Sequence, residues 1–173
     1  MPELRDNSPC GLVDLLCERI NSVLSPSYWQ KAEFGNEEWR SPVVYAQYLP
    51  VVKTDQERDA LYPVVLVTCQ EGSLTAFTKT LASTVNIRIY FGGWDAETDR
   101  QGWRIPTMMK WAVMQNLLTK KSIGAYVLDA PVKWTVLDSK EPPYYWAQLD
   151  LIYNGAPPAV EVVNEQVTLN GNK

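Results

Sequence analysis

Residues 83–93 hold the clearest structural signal in the chain: Ser83-Thr84-Val85-Asn86-Ile87-Arg88-Ile89-Tyr90-Phe91-Gly92-Gly93. Aliphatic and aromatic residues alternate with mostly polar ones, which is the period-2 pattern of a β-strand with one buried face. The glycine pair that follows is typical of a break in regular structure. The segment therefore predicts a strand over 83–91 that ends at Gly92-Gly93.

Strand signals also occur on both sides of this segment. Residues 43–49 are rich in strand formers. Residues 64–67 are a continuous apolar run, which suits a strand covered on both faces. Residues 131–137 and 145–153 alternate in the same way as 83–91, so we expect a strand in each.

Two amphipathic helices are expected. The first begins at Ser8-Pro9, since serine is a favoured N-cap and proline a favoured first helical residue, and it runs to about Leu24. The second runs from about Gly102 to Thr119.

The second predicted helix is apolar on two sides. Trp111, Met114 and Leu118 lie opposite its main apolar arc. One side should face the sheet, and the other should face either the rest of the chain or a neighbouring subunit. The alternative is that Trp111 is an ordinary exposed aromatic residue.

The order α–β–β–β–α–β–β predicts an α+β fold, with a mixed or antiparallel sheet of about four to five strands backed by two main helices. The length of 173 residues suits a single domain, which we place at 1–153, followed by a polar C-terminal arm or tail at 154–173. Residues 27–41 predict an irregular or partly helical connector, 53–60 a charged loop or short helical turn, and 68–82 a projecting loop or β-arm.

The composition argues against most enzyme classes. The chain has no histidine, which is the commonest general base and metal ligand. Its cysteines, Cys10, Cys17 and Cys69, form no C-x-x-C spacing and are expected to be small buried side chains in a reducing compartment. Gly92-Gly93 lacks the lysine and the further glycines of phosphate-binding loops. We therefore predict a protein that is not an enzyme, with no catalytic residue, no cofactor and no metal.

Acidic residues leave two other possibilities open. Asp95, Glu97 and Asp99 alternate as at the start of a calcium loop, but that pattern then requires a glycine and a bidentate glutamate where Arg100 and Pro106 stand. A carboxylate-based hydrolase would need two acids in one cleft. The candidates, which lie in turn-like settings, are Glu37, Glu38, Asp138 and Glu141.

Charge and hydropathy limit the partners. The net charge is −4 and no Lys/Arg cluster is present, which argues against free-standing nucleic-acid binding. No apolar run approaches the roughly 18 residues of a membrane span, and the polar N-terminus has no signal-peptide core, so the protein is expected to start in a cytoplasm. Seven Trp and nine Tyr are many for this length, and such residues fill a core or anchor an interface.

An ordered set of segments resembles a known family. It begins with Tyr62-Pro63-Val64-Val65-Leu66-Val67 and Val85-Asn86-Ile87-Arg88-Ile89-Tyr90-Phe91-Gly92, and continues with Gly102-Trp103-Arg104 at the start of a helix. It ends with Pro131-Val132-Lys133-Trp134 and Glu141-Pro142-Pro143-Tyr144-Tyr145-Trp146. Together these segments, over about residues 43–153, resemble the tail-terminator (tail-completion, minor tail) proteins of tailed bacteriophages and prophages.

The resemblance implies a structural virion protein without catalytic residues. Such a protein forms a hexameric ring that caps the tail tube, stops tube polymerisation and provides the surface for head–tail joining. The implied partners are copies of itself, the tail-tube protein and a head–tail connector or neck protein, with DNA only passing through the channel and no membrane. The implied location is the head-proximal end of the virion tail, and the bacterial host cytoplasm during assembly.

Other readings remain beside this one. The first is a head-completion or neck protein, or the cap of a phage-tail-like contractile particle. A small-molecule or peptide-binding module would instead be a monomer with a concave apolar pocket.

A ring requires apolar anchors beyond those of one core, because each subunit meets its neighbour through two different surfaces. We therefore predict a subunit or partner interface built from aromatic and large aliphatic residues on the second helix and near the ends of two strands. The candidates are Trp94, Trp103, Trp111, Met114, Leu118, Tyr144, Tyr145 and Trp146.

Overall fold

A computed structural model describes residues 8–25, 30–31, 39–77, 80–96, 101–137 and 143–155. In chain order the elements are α1 (Pro9–Leu24), β1 (Gln30–Lys31), β2 (Trp39–Arg40), β3 (Val43–Ala46), α2 (Asp55–Asp59), β4 (Val64–Phe77), β5 (Thr80–Trp94), α3 (Arg104–Thr119), β6 (Ser122–Ile123), β7 (Tyr126–Leu137) and β8 (Tyr144–Gly155). The fold is α+β, as the sequence predicts.

Six strands form one mixed sheet in the order β3-β4-β5-β8-β7-β6, and β1 pairs with β2 separately. β3 runs parallel to β4, and every other neighbouring pair in the large sheet is antiparallel. The sheet has one strand more than the predicted four to five. The extra strand is β6, which has two residues and is therefore too short to leave a periodic signal in the sequence.

The main core lies between one face of this sheet and the helices α1 and α3. The alternation predicted for β5 and β8 is confirmed, because the alternating residues of both strands are buried on the same face. The cross-strand pairs are Val85–Tyr153, Ile87–Leu151, Ile89–Leu149 and Phe91–Ala147.

Both main helices form where the sequence predicts them. α1 starts after Ser8, whose hydroxyl accepts a hydrogen bond from the Gly11 amide at 3.2 Å. α3 starts at Arg104, slightly later than predicted. Arg19 of α1 donates from Nε to the side chain of Asn116 and from Nη2 to the carbonyl of Asn116, each at 2.8 Å. The Arg19 cation thus adds a hydrogen bond to a carbonyl near the C-terminal end of α3, which also accepts from the Lys120 amide, and joins the two helices.

The predicted end of β5 at Gly92-Gly93 is wrong, because the strand continues to Trp94. The two glycines instead allow side chains to approach both faces of the strand. A Cβ on Gly93 would lie 2.9 Å from Cδ of Pro106 in α3, and a Cβ on Gly92 would lie 2.8 Å from Cε1 of Tyr62 on the opposite face.

Two other strand boundaries differ from the prediction. β3 ends at Ala46 rather than at residue 49, because Gln47 has a φ of 62° and turns the chain. β7 begins at Tyr126 rather than at Pro131. Its register against β8 shifts between Asp129 and Lys133, and this irregularity interrupts the alternation that the sequence would otherwise show.

Within residues 68–82, the described residues 68–77 and 80–82 lie in the strands β4 and β5. β4 and β5 pair as far as Phe77 and Thr80, whereas the described part of β8 accompanies β5 only to Ser83. Residues 74–77 and 80–83 thus form a paired extension of the two strands, which agrees with the β-arm alternative. The short helical turn predicted within 53–60 is also confirmed, as α2.

The structure describes the predicted connector at 27–41 and the predicted C-terminal arm at 154–173 only in part. Within 27–41, the structure describes the β1–β2 pair and Ser41; residues 27–29 and 32–38 lie outside the described residues, as do 156–173. Cys17 and Cys69 are partly buried against the core, but Cys10 is exposed, so the expectation of a buried side chain is wrong there.

Candidate assembly surface

Large apolar side chains are exposed on the outer side of α3 and on the neighbouring strand β7. Their exposed fractions are 50% for Trp111, 43% for Leu118, 53% for Trp134 and 37% for Val136. We call these four residues the α3–β7 surface. Large apolar side chains exposed on neighbouring elements are candidates for an interaction site.

The helical period explains why α3 presents two of these residues. Trp111 and Leu118 are seven residues apart, about two turns, so they lie on the same side of the helix. Met109, Val113 and Leu117 are buried in the main core on the opposite side. α3 therefore has one apolar side facing its own sheet and another whose large apolar side chains are about half exposed, as the sequence predicts for a two-sided helix.

Strand register explains the other two exposed residues. Trp134 and Val136 pair with Leu149 and Ala147 of β8, so they point to the helix-covered face of the sheet. They remain exposed because α3 and α1 lie over the inner strands of the sheet. The alternation of β7 is visible in the sequence, but the sequence does not show that α1 and α3 leave these two side chains exposed.

The outer main chain of β7 is also open. β6 pairs only with Tyr126 and Val127 of β7, and the Leu128 amide donates to the carbonyl of Lys121. From Asp129 to the end of β7, no other described strand pairs with this edge. An open edge with exposed apolar side chains is a ready template for a further strand.

Lys110 of α3 lies beneath Trp134. Its side chain is 1% exposed, and its Nζ lies 3.8 Å from the centroid of the Trp134 ring. Burial lowers the pKa of Lys110 below its ordinary value. Among the described residues no carboxylate pairs with it, so the face of the Trp134 ring is what offsets the loss of water around the ammonium. The contact holds Trp134 in place at the margin of the core.

The structure separates the predicted interface residues into three groups. Trp111 and Leu118 belong to the α3–β7 surface, and Trp103 is exposed at the start of α3, with its ring near the Arg104 guanidinium. Met114 is buried in the main core, because its position on α3 turns it toward the sheet rather than outward with Trp111. Placing Met114 on the outer side of the helix was therefore wrong.

The remaining candidates are Trp94, Tyr144, Tyr145 and Trp146. Trp94 and Tyr145 are buried within the chain, and Tyr144 and Trp146 are half-buried against Tyr62. These residues contribute mainly to packing inside the chain.

A second, smaller core explains that packing. The Tyr62 ring lies 5.4 Å from that of Tyr144 and 5.7 Å from that of Trp146, the latter edge to face. The Tyr144 hydroxyl donates to Oδ1 of Asp59 at 2.6 Å. Burial raises the pKa of Tyr62 above its ordinary value. The cluster fastens the segment that contains α2 to the sheet face opposite the main core.

A polar groove of about 280 Å³ lies on the same sheet face. Arg88 donates from Nε to Oδ1 of Asp150 at 2.6 Å, and Gln148 donates to the other oxygen of Asp150 at 2.8 Å. The hydrogen bond to Asp150 raises the pKa of Arg88. Glu71, the other acid of the groove, accepts from Asn86 at 2.8 Å. Both carboxylates are thus engaged in hydrogen bonds within the sheet.

Other candidate chemistry falls largely outside the described residues. Glu97 and Asp99 of the calcium-like pattern lie outside them. So do the four carboxylates considered for a hydrolase, which are Glu37, Glu38, Asp138 and Glu141. Within the described ranges, no group of three potential ligands is placed to hold a metal ion. None of the helices in those ranges is long and apolar enough to cross a bilayer.

No protein-family model matches the chain, and a search of curated proteins likewise finds no match.

Proposed function

We propose that this chain is a structural assembly protein of the tail-terminator type. In this proposal, copies of the chain form a ring, hexameric as the resemblance implies, that caps a phage tail tube. The ring stops tube polymerisation and offers a surface to a head–tail connector or neck protein, while DNA only passes through its channel. Its place would be the head-proximal end of the virion tail, reached after assembly in the bacterial cytoplasm.

The α3–β7 surface is the observation that carries the proposal. Trp111 and Trp134 are half-exposed, and tryptophan is the residue type that most often anchors protein interfaces. Each is already held by packing on one side, so little conformational entropy is lost when a partner covers the other. Exposed side chains on a helix and a strand suit a second folded protein, whereas a small ligand prefers a concave apolar pocket.

The polar groove supports a structural role over a hydrolytic one. A pair of catalytic carboxylates needs two groups whose environments separate their pKa values and leave one free to transfer a proton. Asp150 is instead bound by Arg88 and Gln148. Such cross-strand bonds stabilise the sheet.

The first test is the mass of the purified chain by light scattering, followed by negative-stain imaging alone and with tail-tube protein. The tube protein is included because a ring can assemble on its template only. Rings, or rings at the ends of tubes of limited length, are the expected result. If the chain neither forms rings nor binds tube ends, the terminator assignment is wrong.

The same purified protein can distinguish a tail terminator from the nearest alternative role. A head-completion or neck protein would bind the portal or its adaptor rather than the tube protein. Pull-down with each partner therefore distinguishes the two roles, and binding to the portal alone would contradict the terminator assignment.

A further inference from the structure

Two of the three cysteines lie on elements that pack against each other. Cys10 is exposed in the first turn of α1, and Cys69 is partly buried on β4. α1 packs over both β3 and β4. Val65 and Val67 of β4 belong to the main core beneath the helices, and Cys69 follows them at the spacing of side chains on one strand face. The Cys69 side chain therefore lies on the face of the sheet that α1 covers, where it packs against that core.

The direction of α1 brings Cys10 toward the same region. The C-terminal end of α1 lies at the start of β3, because the Ser41 hydroxyl donates to the carbonyl of Ser25 at 3.1 Å. Residues from Leu12 to Leu24 are buried along the helix, which packs on β3 and β4. The N-terminal end of α1 therefore lies toward the far ends of these two strands.

The lengths of the helix and the strands agree with this arrangement. Cys10 lies fifteen residues before Ser25, which is about 22 Å along a helix. The start of β3 that contacts Ser25 lies two residues before Val43, which pairs with Val64, and Cys69 lies five residues beyond Val64. Seven strand residues span about 23 Å. The two cysteines therefore lie at about the same distance from the contact at the end of α1.

The helical period also sets the side on which Cys10 lies. Arg19 follows nine residues later, or two and a half turns, so the two side chains lie on opposite sides of α1. Arg19 donates to Asn116 of α3 and to the carbonyl of Ser122 in β6. Cys10 therefore lies on the side of α1 away from α3 and β6. This is the side toward β3 and β4, on which α1 also packs.

The two thiol groups also interact electrostatically. Burial raises the pKa of Cys69, and the charge of the Cys10 thiolate raises it further. The interaction between two charges falls with distance and is screened by water, so it is appreciable only between groups that are close together. This proximity agrees with the arrangement derived from the helix and the strands.

We propose that Cys10 and Cys69 are a redox-active pair that closes into a disulfide between α1 and β4. The oxidant is a low-molecular-weight disulfide. The exposed Cys10 thiolate attacks one of its sulfurs and releases one small thiol, and the Cys69 thiolate then attacks the Cys10 sulfur and releases the second. Each cysteine loses one proton and one electron, and the small disulfide is reduced to two thiols. In a reducing compartment the pair stays as two thiols.

The disulfide changes the stability of the chain. It encloses the residues between Cys10 and Cys69, and such a cross-link stabilises a protein mainly by reducing the conformational entropy of the unfolded chain. Oxidation is therefore expected to raise the urea midpoint of unfolding. The proposal concerns the single chain and does not depend on whether copies of it form a ring.

Oxidised glutathione added to the folded Cys17→Ala chain tests the pair, because Cys10 and Cys69 are then the only cysteines. We expect the mass of the single chain to fall by two hydrogen atoms, and no thiol to react with maleimide after unfolding in urea. Reduction should restore both thiols and lower the urea midpoint. A chain that only retains glutathione as an adduct, or that forms only dimers linked between chains, would overturn the proposal.

Cys69→Ala is the matched control, because it also keeps two thiols. Cys10 and Cys17 are seven residues apart on α1, about 10 Å along the helix axis, which is beyond the reach of a disulfide. The folded control chain should therefore gain no internal disulfide and no change in urea midpoint. If the Cys17→Ala chain closes its disulfide only in urea, or unfolds at a lower urea concentration when oxidised than when reduced, the proposal is wrong.

Discussion

Replacing Trp111 and Leu118 together by lysine tests whether the α3–β7 surface is an interface. Both side chains are about half-exposed and lie on the side of α3 opposite the main core. Lysine has nearly the helix propensity of leucine, and its aliphatic stem still covers neighbouring atoms. We therefore expect the free energy of unfolding to fall by no more than about 1 kcal/mol.

The effect on association should be much larger. A buried aromatic side chain covers about 150–250 Å², so Trp111 leaves roughly 100 Å² for a partner, or about 2.5 kcal/mol at 25 cal/mol per Å². The exposed part of Leu118 adds roughly 1 kcal/mol. Together these two terms set an upper limit of about 300-fold on the increase in dissociation constant. If a partner covers the two side chains only in part, the increase should still be at least about tenfold.

Sedimentation velocity of the purified chain, with counts of capped tube ends by negative-stain microscopy, measures this change. Gln115→Lys is the matched control, because it adds a charge on the exposed side of the same helix without removing apolar area. The control should associate within about threefold of wild type. If the double variant also associates as wild type does, with its unfolding unchanged, the surface is not used for assembly and the reasoning is refuted.

Three further predictions concern the stability of the single chain. Met114→Ala should lower the free energy of unfolding by about 2–5 kcal/mol in urea titrations, because Met114 is buried in the core; a loss below about 1 kcal/mol would contradict that placement. Gly93→Ala should cost about 1–3 kcal/mol, because its Cβ would meet Pro106 of α3, and an unchanged urea midpoint would show that α3 can move away. Burial raises the pKa of Cys17 to about 11 and the pKa of Tyr153 to about 12. The folded chain therefore holds these protons more tightly than the unfolded chain, so unfolding free energy should fall between about pH 9 and 12. Part of that fall should be absent in Cys17→Ala. If the wild-type chain and this variant lose stability identically with pH, the raised pKa of Cys17 is contradicted.

Local patterns were sufficient to predict most of the elements. Ser8 and Pro9 marked the start of α1, and strict alternation marked the central parts of β5 and β8. Boundaries failed where tertiary contacts decide them. Gly92-Gly93 resembles a strand end, yet it lies inside β5 because side chains approach both faces there. A single sequence does not show such an approach.

The candidate surface was predicted only in part, for a similar reason. Hydrophobic periodicity correctly placed Trp111 and Leu118 away from the sheet, but it grouped Met114 with them. Trp134 was visible as part of an alternating strand, whereas its exposure depends on how far α3 extends over β7. Which residues a helix covers is a property of packing between elements distant in sequence, and alternation alone does not determine it.

The central position of β8 has a consequence for how the chain folds. This strand is the last of the described elements, yet it pairs with β5 on one side and β7 on the other. The partners Val85 and Tyr153 are far apart in sequence, so closing the sheet requires a large loss of chain entropy before the core can form. During synthesis, α1 and the β4–β5 hairpin emerge first, with their apolar faces uncovered. A chain arrested before β8 would therefore expose both the inner edge of β5 and the apolar stripe of α1, and incomplete chains should aggregate or attract chaperones rather than form a smaller stable fold.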